Sequence, residues 1–115
     1  MLSFALCCSF CGGARKTAAV QATGGNPAKG KADLVRYGCA SCHSIPGVEG
    51  ANGLVGPPLA GLRRRVYISV RPHTPDNLMW WIEHPHQVNP KAAMPNTGVT
   101  PSDARYIAAY LYALK

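Results

Sequence analysis

Cys39-Ala40-Ser41-Cys42-His43 places two thiols and an imidazole within five residues. On a helix, positions i, i+3 and i+4 share one face, so all three side chains would point the same way. The string C-x-x-C-H reads as an attachment site for c-type haem. Two thioether links fix the haem to the chain while His43, one residue on, reaches the iron from the proximal side, and a cofactor held in this way cannot dissociate. Three other chemistries use part of the pattern. A thioredoxin-like redox pair needs a βαβ context, which the sequence lacks. Zinc could draw on Cys8-x-x-Cys11 together with Cys39-x-x-Cys42, but the gap of 27 residues is long and the first pair lies in an apolar run. A plain disulfide leaves His43 unexplained.

A haem with a proximal histidine needs its sixth position filled, and once Met1 is set aside a sulfur ligand must come from Met79 or Met94. Met79 stands mid-helix beside Trp80 and Trp81, where a methionine is most often core. Met94 sits in a proline-flanked loop between Pro90 and Pro95, a rigid irregular segment suited to holding one side chain against iron. His73, His84 and His86 are the nitrogen alternatives; each is next to a proline and is expected at the surface. His/Met ligation raises the reduction potential relative to His/His and leaves no open position for substrate.

The elements that must position these groups follow from composition and punctuation. At 115 residues the chain has one domain's length, which excludes multi-domain enzymes. A chain this short leans on a staple or cofactor to complete its core. Gly 12 and Pro 10 imply short helices joined by long loops. A helix is expected from about Ala28 to His43, then a long loop over 44–74, a length that inside a compact domain signals function. Thr74-Pro75-Asp76 is a helix start, with Thr as N-cap, Pro at the first helical position and Asp complementing the dipole. That helix should end by His84, because Pro85 disfavours the α region at the residue before it. Thr100-Pro101-Ser102-Asp103 repeats the signal, and Ala104, Ile107, Ala108 and Leu111 then give one apolar face. Strand signals are confined to Val66–Val70, so the expected fold class is all-α.

Residues 1–11 are apolar and uncharged, about the length of a signal-peptide core and too short to span a bilayer. Val20-Gln21-Ala22 reads as a small-x-Ala cleavage site. Residues 1–22 are thus expected to be a signal peptide or N-terminal anchor, with 23–28 as linker and the small, Gly-rich stretch 12–28 as a whole read as cleavage region and linker. Cys7, Cys8 and Cys11 suggest a lipid anchor, although Leu6 and Phe10 are bulky where lipoprotein sites want small residues. The net charge of +7 favours acidic partners. The basic residues are scattered apart from Arg63, Arg64 and Arg65 and are not interleaved with aromatics, which argues against nucleic acid.

From about Lys29 to Lys115 the chain resembles a class I cytochrome c: haem motif near the start, a Gly-Pro-x-Leu segment after it, a Met loop and a C-terminal helix. The later part is similar to the cytochrome c domain fused to subunit II of haem-copper terminal oxidases, through Thr74-Pro75-Asp76-Asn77-Leu78, Trp81-Ile82, Pro85, Met94-Pro95 and Ala109-Tyr110-Leu111. The resemblance implies short helices and long Gly/Pro-rich loops wrapped around one covalent haem c, with Cys39 and Cys42 as attachment points and His43 and Met94 as iron ligands. Met94 stands nine positions after Pro85, the spacing this family has between its helix-ending Pro and its axial Met. Within Gly56-Pro57-Pro58-Leu59, the resemblance implies that the Pro57 carbonyl orients His43 and that Leu59 lies at the haem. It also implies that Arg65, six residues after Leu59, meets a haem propionate and that Trp81 packs on the haem, while Arg63 and Arg64 form a solvated basic patch. Ile107, Tyr110 and Leu111 are expected to pack on the first helix near Leu34 and Val35, although Gly30 and Leu34 stand one residue further from Cys39 than the commonest family pattern.

The expected role is that of a periplasmic one-electron carrier and not an enzyme. Its acceptor would be a terminal oxidase or another redox protein with an acidic docking face, and its donor a quinol-oxidising complex or dehydrogenase. Membrane association would run through the N-terminus. Service as the haem subunit of a periplasmic dehydrogenase is the alternative, and a gas-binding or peroxidatic haem protein with a labile Met94 is a further one.

Overall fold

The computed structural model describes residues 4–115, with side chains from residue 13 onward; Cys7, Cys8 and Cys11 lie outside the described side chains. Five helices dominate: α1 (Phe4–Thr23), α2 (Pro27–Arg36), α3 (Pro75–Glu83), α4 (Pro85–Val88) and α5 (Pro101–Ala113). Two 3-10 turns, Cys39–Ser41 and Leu62–Arg64, and a small antiparallel hairpin complete the chain. In the hairpin, β1 (Tyr67–Ile68) pairs with β2 (Arg71–Pro72) in the register Tyr67 to Pro72 and Ile68 to Arg71. The fold is all-α, as expected, and the long stretch 44–74 contains this hairpin and one of the 3-10 turns.

The helix starts are local chemistry. Thr74 and Thr100 each have extended backbone and accept, through the hydroxyl, the N–H of Asn77 and Asp103, with proline following at the first helical position. Asn26 does the same for α2. α3 ends at Glu83 with His84 as its cap, and Pro85 opens α4 instead of only ending a helix.

The first domain helix is shorter than expected. α2 stops at Arg36, because Gly38 takes the left-handed conformation at φ 79° and the N–H groups of Tyr37 and Gly38 return to the carbonyls of Asp33 and Val35. The Cys-x-x-Cys-His motif therefore rides on a separate 3-10 turn rather than on a continuous helix. The Gly-rich N-terminal stretch also differs from a linker, since α1 is helical through Thr23. Ala19 and Thr23 are buried, the Thr23 hydroxyl donates to the Ala19 carbonyl at 2.7 Å, and α1 lies along α5. Gly25 presses so closely on α5 that a Cβ there would overlap the Arg105 carbonyl.

α2 and α5 cross at the heart of the domain, at a point where a Cβ on Gly30 would overlap the Tyr106 carbonyl. Leu34, Ile107 and Leu111 are buried in one cluster with Leu59, Leu62, Leu78 and Ile82. Truncating a buried leucine of this kind costs about 2–5 kcal/mol. Val35 is 59 % exposed and takes no part, because it lies one position around the helix from Leu34. Tyr110 is half-buried, with its hydroxyl donating to the Pro46 carbonyl at 2.6 Å. One edge of the crossing is closed by Arg36, which pairs with Asp33 at 3.0 Å and Asp103 at 2.7 Å, while Tyr37 donates to Asp103. Burial, reinforced by the neighbouring Asp103 charge, pushes the Asp33 carboxyl above its ordinary value. The Tyr37 hydrogen bond holds Asp103 below its own.

Candidate functional site

A cavity of about 340 Å³ opens between the 3-10 turn, the loop after it, the hairpin, α3 and the loop before α5. Its lining is mostly apolar, with a few polar groups at the rim, the usual make-up of a cofactor pocket. Cys39, Cys42 and His43 enter from one wall and Met94 lines the same space from the loop 89–99. Leu59, Arg65 and Trp81 also line it, so every site residue expected from the sequence borders the cavity, Pro57 included.

The proximal wall is built by close backbone approach. Gly56 donates its N–H to the Cys42 carbonyl at 2.7 Å, and Leu59 donates to Ser44 at 2.9 Å. A Cβ at Gly53 would overlap the backbone of Cys42, and one at Gly56 would fall on the His43 ring. Glycine is therefore required at both positions by space rather than by turn conformation. The reward for this proximity is one hydrogen bond. His43 Nδ1 lies 2.7 Å from the Pro57 carbonyl, and because a carbonyl can only accept, Nδ1 donates. That fixes the tautomer and leaves Nε2 with a free lone pair, the state in which imidazole binds a metal.

The thiols of Cys39 and Cys42 are free, and burial pushes the Cys39 thiol above its ordinary value. Positions i and i+3 eclipse on a 3-10 turn, which brings both thiols to one side without the longer helix read from the sequence. Arg65 is half-buried, and its guanidinium donates to the Pro58 carbonyl. Arg63 and Arg64 are exposed. Met79 packs against the core cluster and does not line the cavity.

The three histidine alternatives stand elsewhere. His84 and His86 are exposed. His73 is not the surface residue expected: it is half-buried, with Nδ1 donating to the Arg65 carbonyl at 2.8 Å and Nε2 2.7 Å from the Tyr112 hydroxyl. None of the three lines the cavity. Among the described residues, no group of three or more His, Cys, Asp or Glu could hold a metal ion.

Sequence reasoning assigned no role to Tyr67, Ile68 and Ser69, yet the hairpin they open forms part of the lining. The Val66–Val70 strand signal marked the segment, but nothing local showed which way it faced. Ser69 adopts φ 53°, a left-handed conformation rare for a residue with a side chain, to make the two-residue turn.

The donor set, the fixed imidazole tautomer and the apolar enclosure fit a covalent haem. No curated protein and no solved structure gave a match to the chain. The family model for cytochrome c matches residues 27–115, which takes in the whole domain from α2 to the C-terminus. The chain belongs to the cytochrome c family, whose domain binds a covalent c-type haem with iron and serves as a haem-based electron carrier.

Proposed function

We propose that this protein is a one-electron carrier whose haem is linked through Cys39 and Cys42 and ligated by His43 and Met94, delivering electrons to a haem-copper terminal oxidase. The observation that carries the ligation is the 2.7 Å hydrogen bond from His43 Nδ1 to Pro57, which presents Nε2 as a metal ligand in a cavity that Met94 also lines. When bound, the haem supplies a one-electron Fe(II)/Fe(III) couple, and the protein contributes ligation, burial and docking. Pro57 holds the imidazole in one orientation and one tautomer. Leu59, Trp81 and Leu34 keep water from the iron, and Arg65 is placed to neutralise a propionate at the rim. With His43 and Met94 both holding the iron, no open site would be left for a substrate.

The net charge of +7 supports an acidic docking face on the partner and an association rate that falls as salt rises. A quinol-oxidising complex or a dehydrogenase is the donor. Residues 1–22 act as an export signal kept as an N-terminal anchor on the periplasmic side of the membrane. Burial of Ala19 and Thr23 against the domain supports retention. Among the described residues no helix is long and apolar enough to cross a membrane.

The test is an optical spectrum of haem-loaded protein, oxidised and reduced, for wild type and Met94→Ala. A haem that resists acid-acetone extraction, with a long-wavelength sulfur-to-iron band that Met94→Ala removes, is the expected result. A covalent haem whose spectrum ignores the substitution would overturn Met94. Transfer to an isolated terminal oxidase, measured against ionic strength, tests the partner.

A further inference from the structure

A second groove, of about 350 Å³, lies on the far side of Arg65, between α1, the 3-10 turn Leu62–Arg64 and α5. Arg63, Arg65, His73 and Tyr112 supply its polar lining, and Ala18, Ala19, Ala22 and Pro75 its apolar walls. Every ionisable side chain in that lining is a cation, an imidazole or a phenol, and no carboxylate lines it. Among the described residues, the ion pairs join Arg36 to Asp33 and Asp103, so no carboxylate of the chain pairs with Arg63 or Arg65.

The groups are also held in place. Arg65 is tied to the Pro58 carbonyl, and His73 is tied at one nitrogen to the Arg65 carbonyl and meets the Tyr112 hydroxyl at the other. Two guanidiniums that line one groove gain from an anion held between them, and a tied donor such as Arg65 binds one without the entropy cost of ordering a long side chain. A separate observation comes from α1. The Nε of Arg15 is buried without a hydrogen-bond partner. Residue 15 lies on the same helix face as 18, 19 and 22, one turn before the positions that wall the groove, and is not itself part of the lining.

We propose that this groove is an oxyanion site that takes a phosphate group through Arg63 and Arg65. The same chemistry is offered by inorganic phosphate and by the headgroup of an anionic phospholipid. The walls from α1, a helix that begins in the apolar N-terminal segment, make either source accessible.

The experiment uses the full-length haem-loaded protein. Phosphate is titrated calorimetrically at ionic strength held constant with chloride, for wild type, Arg63→Gln and Arg64→Gln. Arg63 and Arg64 are both exposed and adjacent, but only Arg63 lines the groove, so the pair loses the same charge inside and outside the site. The expected result is one saturable phosphate site that Arg63→Gln weakens about tenfold, the loss of one charge-assisted contact, and that Arg64→Gln leaves unchanged. Co-sedimentation with phosphatidylcholine vesicles, with and without phosphatidic acid, separates the sources. A difference between the two variants that appears on phosphatidic-acid vesicles assigns the headgroup, and one confined to inorganic phosphate assigns the free anion. Absence of saturable phosphate binding, or equal weakening by the two substitutions, would overturn the site and leave a diffuse basic surface.

Discussion

The two walls of the haem cavity are made in opposite ways. The proximal wall is braced: Gly56 bonds to Cys42, Leu59 to Ser44 and His43 to Pro57, with glycines 53 and 56 letting the backbone close to contact. Its bracing continues outward, since Arg65 reaches the Pro58 carbonyl and His73 links the Arg65 carbonyl to Tyr112 on α5. The distal loop 89–99 is strung between buried Val88 and Val99, and its own bonds are short-range, with the N–H groups of Lys91 and Ala92 donating to Asn89 and that of Gly98 to Asn96. Its one side-chain link to the hairpin is Asn89 to Ser69 at 3.5 Å, at the limit of a hydrogen bond. The difference teaches that the fold fixes the His43 side in advance, whereas the Met94 side is held mainly at its ends.

The sharpest way to break this contrast is Gly56→Ala. Its methyl would fall on the His43 ring, so the haem-loaded protein should lose about 3 kcal/mol, the upper end for overpacking, in guanidinium unfolding. A loss below ~1 kcal/mol would show that the proximal wall yields as easily as the distal one. On the distal side, Thr100→Ala removes the cap that anchors the loop to α5 and should cost about 1 kcal/mol in the same assay. Gly98→Ala probes the loop itself. Gly98 sits at φ 75° with open space around it, so only backbone strain opposes the methyl, at about 1 kcal/mol. The spectrum should be unaltered, whereas Gly56→Ala should perturb the haem bands.

A pH experiment reads the outward end of the proximal brace. Burial pushes the Tyr112 phenol up to about 12. Because the folded value is raised, the stability it contributes is fully present below pH 10 and is lost as pH climbs through the folded value. The melting temperature should fall over that alkaline window, and Tyr112→Phe should flatten the decline. An unchanged slope would detach Tyr112 from the brace.

How much of this was legible depended on the range of the physics. The starts of α3 and α5 were readable because an N-cap threonine, a proline and an aspartate act within one turn. The haem motif was readable as types and spacing and the resemblance to cytochromes c pointed to Met94, Leu59, Arg65 and Trp81, and all of them border one cavity. The end of α2 at Arg36 was also signalled locally, by Gly38, but the helical reading of the cysteine spacing overrode it. Residues 12–23 looked like linker because small residues carry little pattern of their own. Their helix is completed by burial against α5, and Gly25 matters only because of Arg105, eighty residues on. His73 looked exposed beside its proline, and only Tyr112, 39 residues away, makes it half-buried.

By itself, then, the sequence determined the class of the fold, the Cys-x-x-Cys-His motif at 39–43 and the capped helices, since each is written in neighbouring residues. The tertiary structure alone decided that the hairpin closes the cavity, that α1 packs along α5 and how closely Gly53 and Gly56 meet the Cys42–His43 segment. These follow from backbone segments meeting across long stretches of chain, where contact depends on the absence of a Cβ at glycines 30, 53 and 56, and no periodicity in the sequence records such a meeting.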